Sequence, residues 1–207
     1  VKPNGYTIVS MLNLCSSLLA TERGVQIQMN CIECGFHLDT YVGNALIDMY
    51  AKCGNLQNAY RIFNQLPNRD VVTWSSLITG CAQNQEGQEA IQLYIKMQKD
   101  GIEPNLVTFI TLLKACSSVA ALEQGRLFHS YLVNNGLNLD IYVGSALIDM
   151  YTKCGCLEDA GIVFHMLSKQ DTAIWSAVIN GYAQHSDYKS ALRYFDAMQQ
   201  AGVEPDG

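Results

Sequence analysis

The 207-residue sequence is short of charge, and of positive charge above all: charged residues make up 15%, and 13 Lys and Arg face 19 Asp and Glu, for a formal net charge of −6. With a pI near 5.1, the chain lacks the broad basic patch that drives phosphate-dominated nucleic-acid binding, so any such binding has to rest on stacking and base-edge contacts. Although 49% of the residues are hydrophobic, no apolar run approaches the roughly 18 residues of a membrane-spanning helix. Gly-rich phosphate loops and G-x-S-x-G elbows are missing. None of His37, His129, His165 and His185 stands in the H-x-E plus P-C-x-x-C pattern that a zinc deaminase needs. The expectation is a helical protein with no catalytic residues, no cofactor, no metal and no membrane partner.

What is present is internal repetition. VGNALIDMYAKCG at 42–54 returns as VGSALIDMYTKCG at 143–155, and Trp74-Ser75 returns as Trp175-Ser176, a spacing of 101 residues. Self-similarity at a fixed spacing is the mark of stacked repeat units, each too small to bury its apolar face alone. The period divides further, because segments of 35, 31 and 35 residues share one plan of apolar helical run, turn, second helical run and terminal Asp or Asn. The cuts fall at 5–39, 40–70, 71–105, 106–140, 141–171 and 172–207, the last unit closing at Asp206. VKPN at 1–4 matches IEPN at 102–105. Residues 1–4 are therefore expected to be the tail of a preceding repeat, and the lack of a targeting signal then says nothing of compartment.

Each unit reads as two amphipathic helices. In 44–52, Ala45, Leu46, Met49 and Tyr50 fall on one face, and Gly54 supplies the stop. Asn55 opens a second helix through Leu56, Ala59, Ile62, Phe63 and Leu66, closed by Pro67-Asn68. The 35-residue units predict helices over 74–82 and 89–99, with Gly101 as the stop and Pro104 just beyond. On this frame Cys15 matches Cys116 and Cys53 matches Cys154, each pair on separate copies of one helix position, so they are expected to be small buried residues. Cys31 and Cys34 form a lone C-x-x-C whose second copy has Leu132 and Asn135, without a further Cys or His pair at zinc spacing.

The units ending G-I-E-P-N at 101–105 and G-V-E-P-D at 202–206, the V-V-T-W-S opening at Val71, and A-L-I-D-M-Y-x-K-C-G in the 31-residue units resemble pentatricopeptide repeats. The alternation of lengths is similar to the plant PLS subclass, with long-type units at 5–39 and 106–140, short-type at 40–70 and 141–171, and P-type at 71–105 and 172–207. The resemblance covers essentially the whole chain. It implies an all-α, right-handed superhelical solenoid of helix-turn-helix repeats and single-stranded RNA as partner, at one base per repeat. In the family pattern the fifth and last residues of a unit face the base edge, and the second residue helps sandwich the base.

Carried over, the pairs are Val9 with Asp39, Asn44 with Asp70, Ser75 with Asn105, Ile110 with Asp140, Ser145 with Asp171, and Ser176 with Asp206. The sandwiching positions are Tyr6, Tyr41, Val72, Val107, Tyr142 and Ala173. Amides and hydroxyls both donate and accept, an ionised Asp only accepts, and between apolar walls a wrong pairing leaves a polar group unsatisfied. By the family code Asn44/Asp70 resembles a uracil reader, Ser75/Asn105 an adenine reader, and Ser145/Asp171 and Ser176/Asp206 guanine readers. Val9 and Ile110 depart from the polar pattern, so their units are expected to read little. The implied footprint is 5′-N-U-A-N-G-G-3′.

Each of these polar residues has an ordinary alternative: a Ser or Asn near a helix start is commonly a cap, and a terminal Asp or Asn a turn residue or the next helix's cap. Capping and base reading are compatible in one side chain. Lys52 and Lys153 resemble the family's phosphate-contacting lysines, the alternative being solvated helix ends favoured by the dipole. Ser17, Ser118, Gln83 and Gln184 hold the same place without charge. Two functions remain open. One is the site-recognition segment of a mitochondrial or chloroplast C-to-U RNA editing factor, with an editing cofactor protein docking on the long-type units. The other is a tetratricopeptide-like protein-binding scaffold, disfavoured because the recurring groove positions are small polar residues rather than Lys and Arg.

Overall fold

The computed structural model describes residues 3–137 and 140–204. Twelve α-helices and no strand occur among the described residues: α1 Gly5–Leu18, α2 Thr21–Glu33, α3 Thr40–Lys52, α4 Leu56–Gln65, α5 Val71–Gln83, α6 Gly87–Lys99, α7 Leu106–Val119, α8 Leu122–Asn134, α9 Ile141–Lys153, α10 Leu157–Met166, α11 Thr172–Gln184 and α12 Tyr188–Gln200. None of them is long and apolar enough to cross a membrane.

The first helix of a pair starts earlier than its apolar stripe predicts. Residues 44–52 and 74–82 are the expected spans, yet α3 begins at Thr40 and α5 at Val71. The openings Thr40-Tyr41-Val42 and Val71-Val72-Thr73 are β-branched and aromatic, with modest helix propensity. The preceding Asp overrides that weakness by capping: Asp39 Oδ1 accepts the Val42 N–H at 2.9 Å, and Asp70 closes a capping box with Thr73.

The chain divides into two compact units, 1–111 and 112–207, the division falling inside α7. In the first, α1, α3 and α5 pack side by side, and α2, α4 and α6 each lie on their own partner. In the second, α9 and α11 pack together, with α10 on α9 and α12 on α11. The core of the first unit is built from Leu46, Ile47, Met49 and Tyr50 of α3 and Leu77 and Ile78 of α5, all buried. Close approach needs glycine at Gly24, where a Cβ would lie 2.5 Å from Met49 Sδ, and at its counterpart Gly125, 2.4 Å from Met150 Sδ. Trp74 meets Phe63 edge-on at 4.8 Å, and Trp175 meets Phe164 at 4.5 Å.

Two or three residues join the helices of each pair, and one of them is left-handed. Gly54 holds that place at φ 76°, but Leu19, Gln85, Ala120 and Ser186 hold it in the longer units at φ between 51° and 65°. A side chain there costs about 1–2 kcal/mol, against which glycine loses about 0.4–1 kcal/mol through its freer unfolded state. Gln85 is exposed. Gln85→Gly is therefore expected to stabilise the fold by about 0.5–1 kcal/mol, read as a raised urea midpoint at unchanged slope. A midpoint that stays or falls would show that the turn carries no such strain.

The cysteine expectation holds for Cys15 and Cys116, which are buried, but not for Cys53 and Cys154. Those two are the C-cap residues just past the ends of α3 and α9 and are half-exposed. Cys31 is buried in α2, and burial, reinforced by Cys34, pushes its thiol up to about 11. His129 Nδ1 lies 2.9 Å from the Tyr151 hydroxyl, where the first copy joins Gln28 to Tyr50. This histidine belongs to a helix–helix interface, and burial holds its pKa below the usual value.

Candidate nucleic-acid interface

The terminal Asp and Asn residues and the fifth residues of the units take different structural roles. Asp39, Asp70, Asn105, Asp140 and Asp171 each place Oδ1 on the backbone N–H three residues on, at 2.8–3.0 Å, and so cap the following helix. Asp206 lies outside the described residues. Val9, Asn44, Ser75, Ile110, Ser145 and Ser176 are each the fifth residue of their helix, within the second turn, so the capping alternative does not apply to them. The cap consumes one oxygen of a carboxylate or amide and leaves the other terminal atom outside it.

That division has a chemical consequence. Asn105 Oδ1 is held by both the N–H and the hydroxyl of Thr108, at 2.9 Å each, which fixes the amide orientation and leaves Nδ2 as the unengaged group. A capped Asn thus presents a donor, whereas a capped Asp has only acceptor atoms to offer. Burial raises the Asp70 pKa, but hydrogen bonds from the Thr73 backbone and hydroxyl and from the Asn44 side chain outweigh it, and the group sits below its usual value. It is ionised at neutral pH.

The Asn44 side chain helps hold the Asp70 pKa down, and its Oδ1 is buried and without a hydrogen-bond partner. Such an atom is costly unless something donates to it, by about 1–3 kcal/mol. Asn44, Asp70, Tyr41, Val72 and Val9 line a cavity of about 300 Å³ on the α1–α3–α5 layer. Its walls are the second residues of successive units. Tyr41 is 81% exposed and Tyr142 75%, aromatic rings standing in solvent, and Val72 and Val107 are also exposed. Tyr6 and Ala173 are exposed as well.

Ser75 is tied into the protein itself. Its hydroxyl has one proton and already lies 2.6 Å from both the Val71 carbonyl and Thr108 Oγ1. The chain Ser75–Thr108–Asn105 ties the serine to the Asn105 side chain. Ser145 is half-buried in the matching place on α9.

Lys52 and Lys153 close α3 and α9, and each is half-exposed and paired on its own helix. Lys52 Nζ is 2.9 Å from Asp48 Oδ2, and Lys153 Nζ is 3.0 Å from Asp149 Oδ1. Asp48 also lines the cavity of Asn44. Sequence reasoning missed both carboxylates and the serines that bind them, Ser16 and Ser117. The signal was there: Asp and Lys four apart on one helix face, and all three residues repeated at the 101-residue spacing.

Among known proteins, the PPR repeat family profile matches residues 69–118, and the PPR repeat profile matches 44–71, 145–171 and 173–203. The pentatricopeptide repeat-containing protein At2g33680 of Arabidopsis thaliana is 42% identical over the whole of this chain, which spans 28% of that protein. At3g24000, mitochondrial, is 34% identical over 99% of the chain, and At4g18520, chloroplastic, 36% over 99%, both from the same plant. The chain spans 32% and 33% of their respective lengths. Among solved structures, the pentatricopeptide repeat protein PPR10 in complex with an 18-nt psaJ RNA element superimposes with a TM-score of 0.84. That match covers 98% of this chain and 31% of PPR10 at 22% identity, a likeness of fold. With the repeat profiles lying over most of the sequence and twelve helices among the described residues, the chain belongs to the pentatricopeptide repeat family.

Proposed function

We propose that this chain binds single-stranded RNA without catalysing a reaction, reading one base per repeat, as the site-recognition segment of an organellar C-to-U editing factor. The observation that carries the reading is the unpartnered, buried Asn44 oxygen beside Asp70, at a cavity walled by Tyr41 and Val72. A flat ring carrying an imino N–H satisfies that oxygen and stacks between those walls. Uracil has such an N–H, whereas cytosine and adenine offer a ring acceptor there and would leave two acceptors facing each other.

The same logic extends to the other units. A terminal Asp favours the imino bases uracil and guanine, and a terminal Asn, its amide N–H turned outward by the cap, favours adenine and cytosine. The fifth residue then sets size, Asn leaving room for a pyrimidine and Ser for a purine. Units 5–39 and 106–140 act as long-type repeats with Val9 and Ile110 reading little, and they remain for an editing cofactor protein. The names of the relatives, mitochondrial in one case and chloroplastic in another, support an organellar site of action, and the RNA in the PPR10 complex supports the ligand class.

Competition binding with 5′-N-U-A-N-G-G-3′ and its scrambled version tests the reading, with the ordered sequence expected to win. Asn105→Asp keeps the cap and exchanges the outward donor for an acceptor. It is expected to move the preference of the 71–105 unit from adenine to guanine by on the order of 1 kcal/mol, with little change in stability. An A-to-G ratio that the substitution leaves untouched returns Asn105 to a purely structural cap.

A further inference from the structure

We propose that Asp48 and Asp149 are built-in counter-anions that withhold Lys52 and Lys153 from RNA phosphates and so limit the electrostatic share of binding. The inference rests on the RNA reading above. Its warrant is one arrangement found in both compact units. Ser16 of α1 donates to Asp48 Oδ2 at 3.0 Å, and Lys52, four residues further along α3, reaches the same oxygen at 2.9 Å. Ser117 donates to Asp149 Oδ2 at 2.6 Å, and Lys153 lies 3.1 Å from that oxygen.

An exposed i,i+4 pair is ordinarily weak, because two long side chains must be ordered and water screens them. Here the carboxylate is tethered to the neighbouring helix by a buried serine, so only the lysine has to be ordered. The lysines stay exposed enough to meet a ligand, at 43% and 51%. A phosphate approaching either ammonium must displace a carboxylate that stays beside it, and in the first unit Asp48 lines the base cavity itself. The pair is therefore neutral toward RNA, in keeping with the net charge of −6. Recognition falls to base edges and stacking, contacts that carry sequence information where phosphate contacts do not.

The test is a salt series of RNA affinities for the native chain and for Asp48→Asn with Asp149→Asn. Asparagine keeps an acceptor for each serine hydroxyl while removing the charge. The double variant is expected to bind matched and scrambled RNA alike more tightly at low salt, by about fivefold per site, with the slope of log K against log salt steeper by about 0.7 per freed lysine. Adding Lys52→Gln and Lys153→Gln should cancel the gain. Unchanged affinity and slope in the Asn variant overturn the inference. Should that variant lose its helical signal, Lys52→Gln with Lys153→Gln in the native chain decides. A loss below about threefold at constant slope supports the pairing, and a larger loss or a flattened slope shows the lysines already on phosphate and overturns it. If the native chain binds no RNA, the RNA reading falls and takes this inference with it. If it binds and the variants behave otherwise than stated, only the inference falls.

Discussion

Trp74→Ala is expected to lower the unfolding free energy by about 3–5 kcal/mol. The indole is 3% exposed and packs edge-on against Phe63 of α4, so truncation removes a large buried surface and opens a gap between helices of successive repeats. In a repeat fold stability comes from the interfaces between neighbours, so the loss should spread through the unit rather than stay at α5. Trp74→Phe should lose much less: it keeps a ring against Phe63 and removes the indole N–H, which is buried without a partner. Urea unfolding followed by helical circular dichroism checks both. A Trp74→Ala midpoint within error of the native one would mean that the helix pairs do not depend on this contact.

Asn44→Ser is expected to change the base read by the 40–70 unit from uracil to guanine, by on the order of 1–2 kcal/mol, or roughly tenfold in relative affinity. The substitution removes the orphaned amide oxygen and widens the space beside Asp70, whose cap on Thr73 is made by Oδ1 and survives. Asp70 then faces the imino and amino edge of a purine with an acceptor. Competition between RNAs differing only at that base measures the ratio. Loss of binding to every base, or an unaltered uracil preference, would place the discrimination elsewhere than at the fifth residue. Folding should be little affected, since serine fills less space and the substitution removes a buried oxygen that has no hydrogen-bond partner.

Much of the molecule could be read from residues alone. The return of VGNALIDMY at 101 residues, the Gly54 stop and the Asn55 cap define helix pairs without any knowledge of their packing, because a repeated apolar stripe can be buried only against its own kind. The sequence was less informative about helix starts. Thr40 and Val71 look like poor openings until Asp39 and Asp70 are seen capping them, a one-residue interaction that periodicity does not register. It also could not distinguish cap from reader at the terminal positions, since both tasks call for the same side chains.

By itself the sequence determined the repeat plan, the family and the identity of the fifth and last residues, since these depend on spacing and residue type. Tertiary structure decided which atoms of Asp70 and Asn105 stay outside the helix caps. Capping commits Oδ1 of Asp70 and Asn105, the neighbouring Thr108 turns the Asn105 amide outward, and Ser16 and Ser117 from other helices hold the carboxylates that neutralise Lys52 and Lys153. Hydrogen-bond capacity is shared across helices thirty or so residues apart in the chain, so what a side chain has left to offer is set only when those helices meet.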